Sequence, residues 1–207
     1  MKFFSPPNQL TFLRILLTPV FLVLLFSPDT ALRQWSLFIF IIAVITDWYD
    51  GWVARRWGYV TRWGTFLDPL ADKVVTSAAL IAYVFLDLVP AWMVWIIVVR
   101  DIVITLLRSY AEYKGKPVIT SKLAKTKTFV QFVVIYYLLV FYVALSTPSI
   151  FESYGKFIKS LLNYSLVYSM MVIVTGLTLW TGIVYMVDNW KIIYSLYDSA
   201  DKTSQTE

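Results

Sequence analysis

The chain contains no cysteine and no histidine, and it carries few charged residues for its length of 207. Without cysteine there is no disulfide framework and no thiol nucleophile. Without histidine, a catalytic triad, a phosphohistidine intermediate and a histidine-rich metal site are all excluded. Any acid–base chemistry therefore falls to carboxylates, lysines or tyrosines.

The low charge content accompanies an unusually apolar composition. Charged residues make up 15% of the chain, where an ordinary soluble domain has roughly a quarter. Hydrophobic residues make up 59%, and the mean hydropathy is +0.68. Because the apolar residues are spread over the whole length, we expect one membrane domain over 1–207, with a polar tail over about 188–207 and no nucleic-acid partner.

Apolar segments long enough to cross a bilayer recur along the chain. A spanning helix needs about 20 mostly apolar residues, and six such segments are present: 9–26, 34–55, 65–86, 91–113, 123–145 and 164–187. The first contains Arg14 and follows a Pro-Pro pair, which favours a retained helix over a cleaved signal. The segment "IFESYGKFIKSLL" has an apolar stripe that fits a helix along the outer membrane interface. The sequence thus predicts an all-α integral membrane protein with six transmembrane helices.

Lysine and arginine predict the orientation. They concentrate in two loops, at Arg56, Arg62, Lys114, Lys116 and Lys122. Basic loops stay on the cytoplasmic side of membranes. We therefore expect a multi-pass protein of the cell's inner (cytoplasmic) membrane, with both termini and a polar active-site cavity facing the cytoplasm.

Four aspartates lie where the second and third predicted helices meet. Asp47 and Asp50 are three residues apart and share a helix face, and Asp68 and Asp72 are four apart on the next helix. The short loop makes these helices antiparallel neighbours, so the two acidic faces can meet. Gly51 on the first face favours a close approach by a helix or a ligand.

Clustered carboxylates repel one another, and divalent cations are the simplest remedy. Carboxylate oxygens suit Mg²⁺ or Mn²⁺, and Mg²⁺ usually completes its shell with substrate phosphates. The cluster therefore predicts a metal-binding site whose ions bind a phosphate or pyrophosphate, with Arg55 as a further phosphate ligand. The alternative is a set of solvated helix-end charges, in which the acids pair with Arg55, Arg56, Arg62 and Lys73.

The complete pattern resembles the signature of the CDP-alcohol phosphotransferases. Every fixed position and every gap is present: Asp47-x2-Asp50-Gly51-x2-Ala54-Arg55-x8-Gly64-x3-Asp68-x3-Asp72. The resemblance implies a metal-dependent enzyme that displaces CMP from a CDP-linked lipid with an alcohol.

The resemblance also implies roles for the matching residues. Two divalent ions, Mg²⁺ or Mn²⁺, would be held by Asp47, Asp50, Asp68 and Asp72, and Asp72 would also be the general base. The nucleotide and the CDP-lipid would be bound by Asp47, Asp50, Gly51, Ala54, Arg55 and Gly64. A homodimer would be consistent with the family.

A second group of charges follows in the fourth and fifth predicted helices. Arg100 lies inside an apolar run, Arg108 is two turns further on, and Lys125 and Lys127 begin the fifth helix. A membrane arginine faces the interior rather than lipid. Converging cations beside a metal site favour an acceptor that itself carries a phosphate. The alternatives are that Arg100 pairs with Asp101 or a signature aspartate, and that the lysines only follow the positive-inside rule.

Three further segments narrow the resemblance. "NQLTFLRILLTPV", "RDIVITLLR" and "AKTKTFVQ" resemble the corresponding segments of bacterial phosphatidylglycerophosphate synthases. That subfamily joins CDP-diacylglycerol to sn-glycerol 3-phosphate in phospholipid biosynthesis. Other acceptors within the family, namely inositol phosphate, inositol or serine, remain open.

A divalent-cation transporter would place its acids near the membrane midplane, often in repeated halves. A membrane prenyltransferase would not need the second cation group.

Overall fold

The computed structural model describes residues 6–57, 62–115, 118 and 122–194, with side chains described at 11–46, 69–115, 118 and 123–194. Within these ranges every regular element is a helix. The helices are α1 (Pro6–Leu25), α2 (Thr30–Trp57), α3 (Arg62–Phe85), α4 (Ala91–Tyr113), α5 (Lys122–Ser146), α6 (Pro148–Leu161) and α7 (Tyr164–Asp188). The predicted all-α class is therefore confirmed, and the six predicted apolar segments correspond to the helices α1–α5 and α7. That all six cross a membrane remains a prediction.

The helix ends differ from the predicted ends by up to four residues, and local hydrogen bonds explain two cases. α2 begins at Thr30 rather than at residue 34, because the Asp29 carboxylate accepts a bond of 2.8 Å from the Ala31 amide. After α3, Asp87 adopts a left-handed φ of 55°. The Leu88 amide then bonds to the Tyr83 carbonyl at 2.9 Å, which closes a Schellman motif.

The additional helix α6 covers most of the segment with the predicted apolar stripe. Pro148 occupies its first turn, where the missing amide proton has no helical partner to lose. Tyr137 of α5 donates a hydrogen bond of 2.7 Å to the Leu161 carbonyl, which fixes the end of α6 against α5. Tyr154 and Phe157 remain well exposed on α6. Its position along a membrane interface remains a prediction.

The six longer helices close into a ring. α1 packs against α2 and α3, α3 against α4, α4 against α7, α7 against α5, and α5 against α2. α3 also contacts α5 across the ring. Inside, the Tyr83 hydroxyl donates to the Ile135 carbonyl at 2.8 Å, so α3 and α5 are joined by a buried polar contact as well as by apolar packing.

The distribution of polarity suits lipid rather than water. Apolar side chains face outward, as at Val23 (72% exposed) and Phe129 (69% exposed), while Asp101 and Lys127 are buried. Within the part of the chain that the structure describes, two helices, Leu123–Ser146 and Tyr164–Asp188, are long and apolar enough to cross a membrane. These features fit a membrane protein.

Candidate active site

A cavity of about 420 Å³ opens at one end of the ring, between α3, α4, α5 and α7. It lies at the start of α3 and α5 and at the end of α4 and α7. Three of these helices, α3, α4 and α5, contribute charged side chains to its lining, although the surrounding bundle is apolar. The lining residues are Pro69, Asp72, Lys73, Arg100, Asp101, Ile104, Thr105, Arg108, Ala124, Lys125, Thr128 and Tyr185.

α3 supplies the acidic side of the cavity. Asp72 is partly buried, with 23% of its side chain exposed, and its Oδ2 lies 3.5 Å from Lys73 Nζ. The contact between Asp72 and Lys73 is one of the ion pairs expected if the aspartates were only solvated charges at helix ends. Both groups nevertheless line the cavity, so Asp72 is placed where a substrate could reach it.

The other residues of the signature lie on the two helices that lead to this end of the bundle. Asp47, Asp50, Gly51, Ala54 and Arg55 belong to the second half of α2, and Gly64 and Asp68 to the first turns of α3. Their side chains lie outside the described residues. Among the side chains that are described, no three acids lie close enough together to hold a metal ion. The convergence of the four aspartates therefore stays a prediction.

Three of the four predicted acceptor cations line the same cavity as Asp72. Arg100 and Arg108 come from α4, and Lys125 comes from the first turn of α5. The Arg108 side chain is 47% exposed, and its Nε donates to the Glu112 carboxylate at 2.9 Å, one turn along the same helix. Arg100 is less accessible, with 16% of its side chain exposed. The fold thus places these cations together, while their binding roles remain predictions.

The fourth cation, Lys127, does not line the cavity but lies behind its wall. It is 1% exposed, and its Nζ donates to both oxygens of the Asp101 carboxylate, at 2.6 and 2.7 Å. Arg100 Nη1 donates to the same carboxylate at 3.0 Å. The alternative that Arg100 pairs with Asp101 is therefore seen in the structure. It does not remove Arg100 from the cavity, since Arg100 is one of the lining residues.

Several cavity residues were missed by sequence reasoning. Thr105 and Thr128 add hydroxyl groups, and Tyr185 adds the only described lining residue from α7. Asp101 could have been selected, because an aspartate beside an arginine in an apolar run needs a buried partner. No sequence signal marks Tyr185, since tyrosines near helix ends usually anchor membrane interfaces.

The arrangement places the Asp72 carboxylate, besides the paired Asp101, near several cations around a space of small-molecule size. A carboxylate at the wall can take a proton or hold a metal ion. Arginines and lysines opposite it can bind an anionic group with charge-assisted hydrogen bonds. The cavity therefore suits a small phosphate-bearing molecule placed next to a proton acceptor.

Comparison with known proteins defines the class. The chain matches the CDP-alcohol phosphatidyltransferase family over residues 4–187. This match extends from the first residues before α1 to the end of α7. The chain therefore belongs to the CDP-alcohol phosphatidyltransferase family, and the resemblance of the signature is confirmed.

Three similar proteins carry the name CDP-diacylglycerol–glycerol-3-phosphate 3-phosphatidyltransferase. The Bacillus subtilis protein is 41% identical over 144 residues, which cover 64% of this chain and 75% of that protein. The Salmonella typhimurium protein is 39% identical over 142 residues, covering 66% and 77%. The Escherichia coli K12 protein is 38% identical over 146 residues, again covering 66% and 77%.

The buried pair of Lys127 and Asp101 generates a prediction about stability. We expect Lys127→Met to lower the free energy of unfolding by about 3 kcal/mol, because it leaves a buried carboxylate with a single cationic partner. The double variant with Asp101→Asn should recover part of this loss, since the uncompensated anion is removed as well. Unfolding of the purified protein in detergent measures both.

Lys125→Met is the matched control on the same helix. Lys125 is exposed, so its loss should change the free energy of unfolding by no more than about 0.5 kcal/mol. Equal stability of the two single lysine variants would contradict a structural role for Lys127.

Proposed function

We propose that this protein transfers the phosphatidyl group of CDP-diacylglycerol to sn-glycerol 3-phosphate, which releases CMP and forms phosphatidylglycerol phosphate. The observation that carries the proposal is the shared cavity of Asp72 with Arg100, Arg108 and Lys125. It supplies a proton acceptor and a phosphate site to one small molecule. The names of the relatives at 38–41% identity agree with this acceptor.

We assign metal binding to Asp47, Asp50, Asp68 and Asp72. The donor set fits Mg²⁺ or Mn²⁺, because it consists of hard carboxylate oxygens and the chain has no cysteine or histidine. A metal ligand must be accessible from the cavity, and the Asp72 carboxylate is partly exposed at the cavity wall. Two ions bound there would neutralise the pyrophosphate and stabilise the leaving CMP.

The CDP-lipid is assigned to the end of α2 and the start of α3, which follow one another in the chain. Asp47 and Gly51 are four residues apart on α2 and share a face, and Ala54 is three residues further on. Small residues on that face would leave space for the nucleotide beside the helix. Arg55 would take a phosphate oxygen, and Gly64 would keep the start of α3 open.

The proposed chemistry then uses groups on opposite sides of the cavity. Arg100, Arg108 and Lys125 hold the phosphate of glycerol 3-phosphate, which directs its free hydroxyl toward α3. Asp72 accepts the proton of that hydroxyl as its oxygen bonds to the phosphorus of the phosphatidyl group. The bond from this phosphorus to CMP breaks, and CMP leaves. Lys127 contributes indirectly, by holding Asp101 in place behind Arg100.

We further propose that α1–α5 and α7 span the cell's inner membrane. Basic residues at the ends of α2, α4 and α5 support a cytoplasmic position for the cavity end and both termini. The helix α6 would then lie at the opposite, outer interface, where its lysines and aromatic residues suit the headgroup region. The homodimer that the resemblance implies remains a prediction.

The role of Asp72 can be tested by Asp72→Asn. We expect kcat to fall by about 10²–10⁴-fold, the usual range for a lost general base, while CDP-diacylglycerol still binds. Turnover is measured as CMP release over a range of Mg²⁺ concentrations. Recovery of normal turnover at high Mg²⁺ would assign Asp72 to metal binding alone and would contradict the proton-transfer role.

The phosphate site can be tested by Arg108→Gln. Loss of a charge-assisted hydrogen bond costs about 1.5–3 kcal/mol, so KM for glycerol 3-phosphate should rise roughly 10–100-fold. KM for CDP-diacylglycerol should not change, because that substrate is held by α2 and α3.

Glu112→Gln is the control for this test. It removes the partner of Arg108 on α4 without removing a cation from the cavity. It should leave KM for glycerol 3-phosphate unchanged or lower it. An equal rise of both KM values in Arg108→Gln would identify a structural arginine instead.

A further inference from the structure

Arg100 is held by two helices at once. On α4, its Nη1 donates to Asp101 Oδ1 at 3.0 Å, and on α7, its Nη2 donates to Thr181 Oγ1 at 2.9 Å. Both partners are buried, Asp101 at 3% and Thr181 at 1% exposure. These two bonds hold the guanidinium in position without a ligand, and Arg100 is one of the residues that line the cavity.

The Thr181 hydroxyl can only accept a hydrogen bond from Arg100, because its own proton is used elsewhere. It donates its single proton to the Leu177 carbonyl at 2.7 Å, in the back-bond typical of threonine in helices. A hydroxyl has one proton to donate and keeps lone pairs to accept. Its remaining capacity therefore points to Arg100, which can only donate.

Gly182, the next residue on α7, provides the space for Arg100. A Cβ atom at this position would lie 3.3 Å from Arg100 Nε and 3.4 Å from its Cγ. Comfortable contacts between such atoms are about 3.5–4.0 Å. A Cβ at position 182 would therefore require Arg100 to move by a few tenths of an ångström from its position against α7.

We propose that Thr181 and Gly182 are positioning residues for the acceptor phosphate, and that α7 sets the affinity for the acceptor through Arg100. Neither residue belongs to the signature at 47–72, and neither lines the cavity. The inference rests on the proposed function, since it takes Arg100 as a ligand of the acceptor phosphate. The physical reason is preorganisation, because a cation that is already fixed in place loses less conformational freedom on binding than a mobile one.

The test uses paired glycine substitutions on α7. Gly182→Ala should raise KM for glycerol 3-phosphate about three- to tenfold, with KM for CDP-diacylglycerol unchanged. Gly176→Ala is the matched control, because a Cβ at Gly176 meets nothing within 4 Å. Both changes bring a similar gain in helix propensity, so a difference between them reports the contact with Arg100.

A second pair tests the hydrogen bond independently. Thr181→Val keeps the shape of the side chain but removes the acceptor, and should raise KM for glycerol 3-phosphate about tenfold. Thr181→Ser restores a hydroxyl and should return KM to within about threefold of the wild-type value. If Thr181→Val does not fold, the glycine pair still decides the question.

The outcomes separate the inference from the proposed function. A selective rise of the acceptor KM in Gly182→Ala and Thr181→Val, with rescue by Thr181→Ser, supports the inference. Unchanged KM values, or parallel changes for both substrates, overturn it while the function stands. A wild-type protein that releases no CMP with glycerol 3-phosphate overturns the proposed function itself.

Discussion

The buried carboxylate of Asp101 is the constraint on which the site end of the bundle depends. A charge in an apolar interior is costly unless it is paired and fully hydrogen-bonded. Asp101 meets this requirement with three bonds, two from Lys127 and one from Arg100. Because Asp101 and Arg100 belong to α4 and Lys127 belongs to α5, the carboxylate joins two consecutive helices. Arg100 extends the network to Thr181, so α7 is included.

This network links stability to the chemistry of the cavity. Lys127 and Thr181 have no access to the cavity, yet they determine where Asp101 and Arg100 lie. A well-packed apolar replacement of such a group is often as stable as the ionic original. Apolar residues could not present a cation to a phosphate, however, so under the proposed function we expect the polar network to contribute more to acceptor binding than to folding. The walls of the cavity are fixed by bonds made outside it.

Most of the helices and part of the candidate active site could be predicted from the sequence. Apolar length predicted six helices, and their bounds differ by up to four residues from the predicted ones. Local caps at Asp29 and Asp87 explain the start of α2 and the end of α3. The spacing from Asp47 to Asp72 identified the family, because that signature lies within two consecutive helices. Lys127 shows what sequence position alone could not predict. Its place at the start of α5 suggested a ligand of the acceptor phosphate, but in the folded protein its ammonium group binds the Asp101 carboxylate. The contributions of Thr181 and Gly182 depend on how α7 meets α4, and no local pattern records that contact.

The central claim is that this cavity accepts glycerol 3-phosphate as the acceptor for a phosphatidyl group. The most direct measurement is CMP release by the purified protein in detergent, with CDP-diacylglycerol and Mg²⁺. Glycerol 3-phosphate, inositol phosphate, inositol, serine and glycerol are supplied in turn. The account predicts rapid CMP release with glycerol 3-phosphate and formation of an equal amount of phosphatidylglycerol phosphate. Faster release with any of the other four acceptors, or no release with glycerol 3-phosphate, would contradict it.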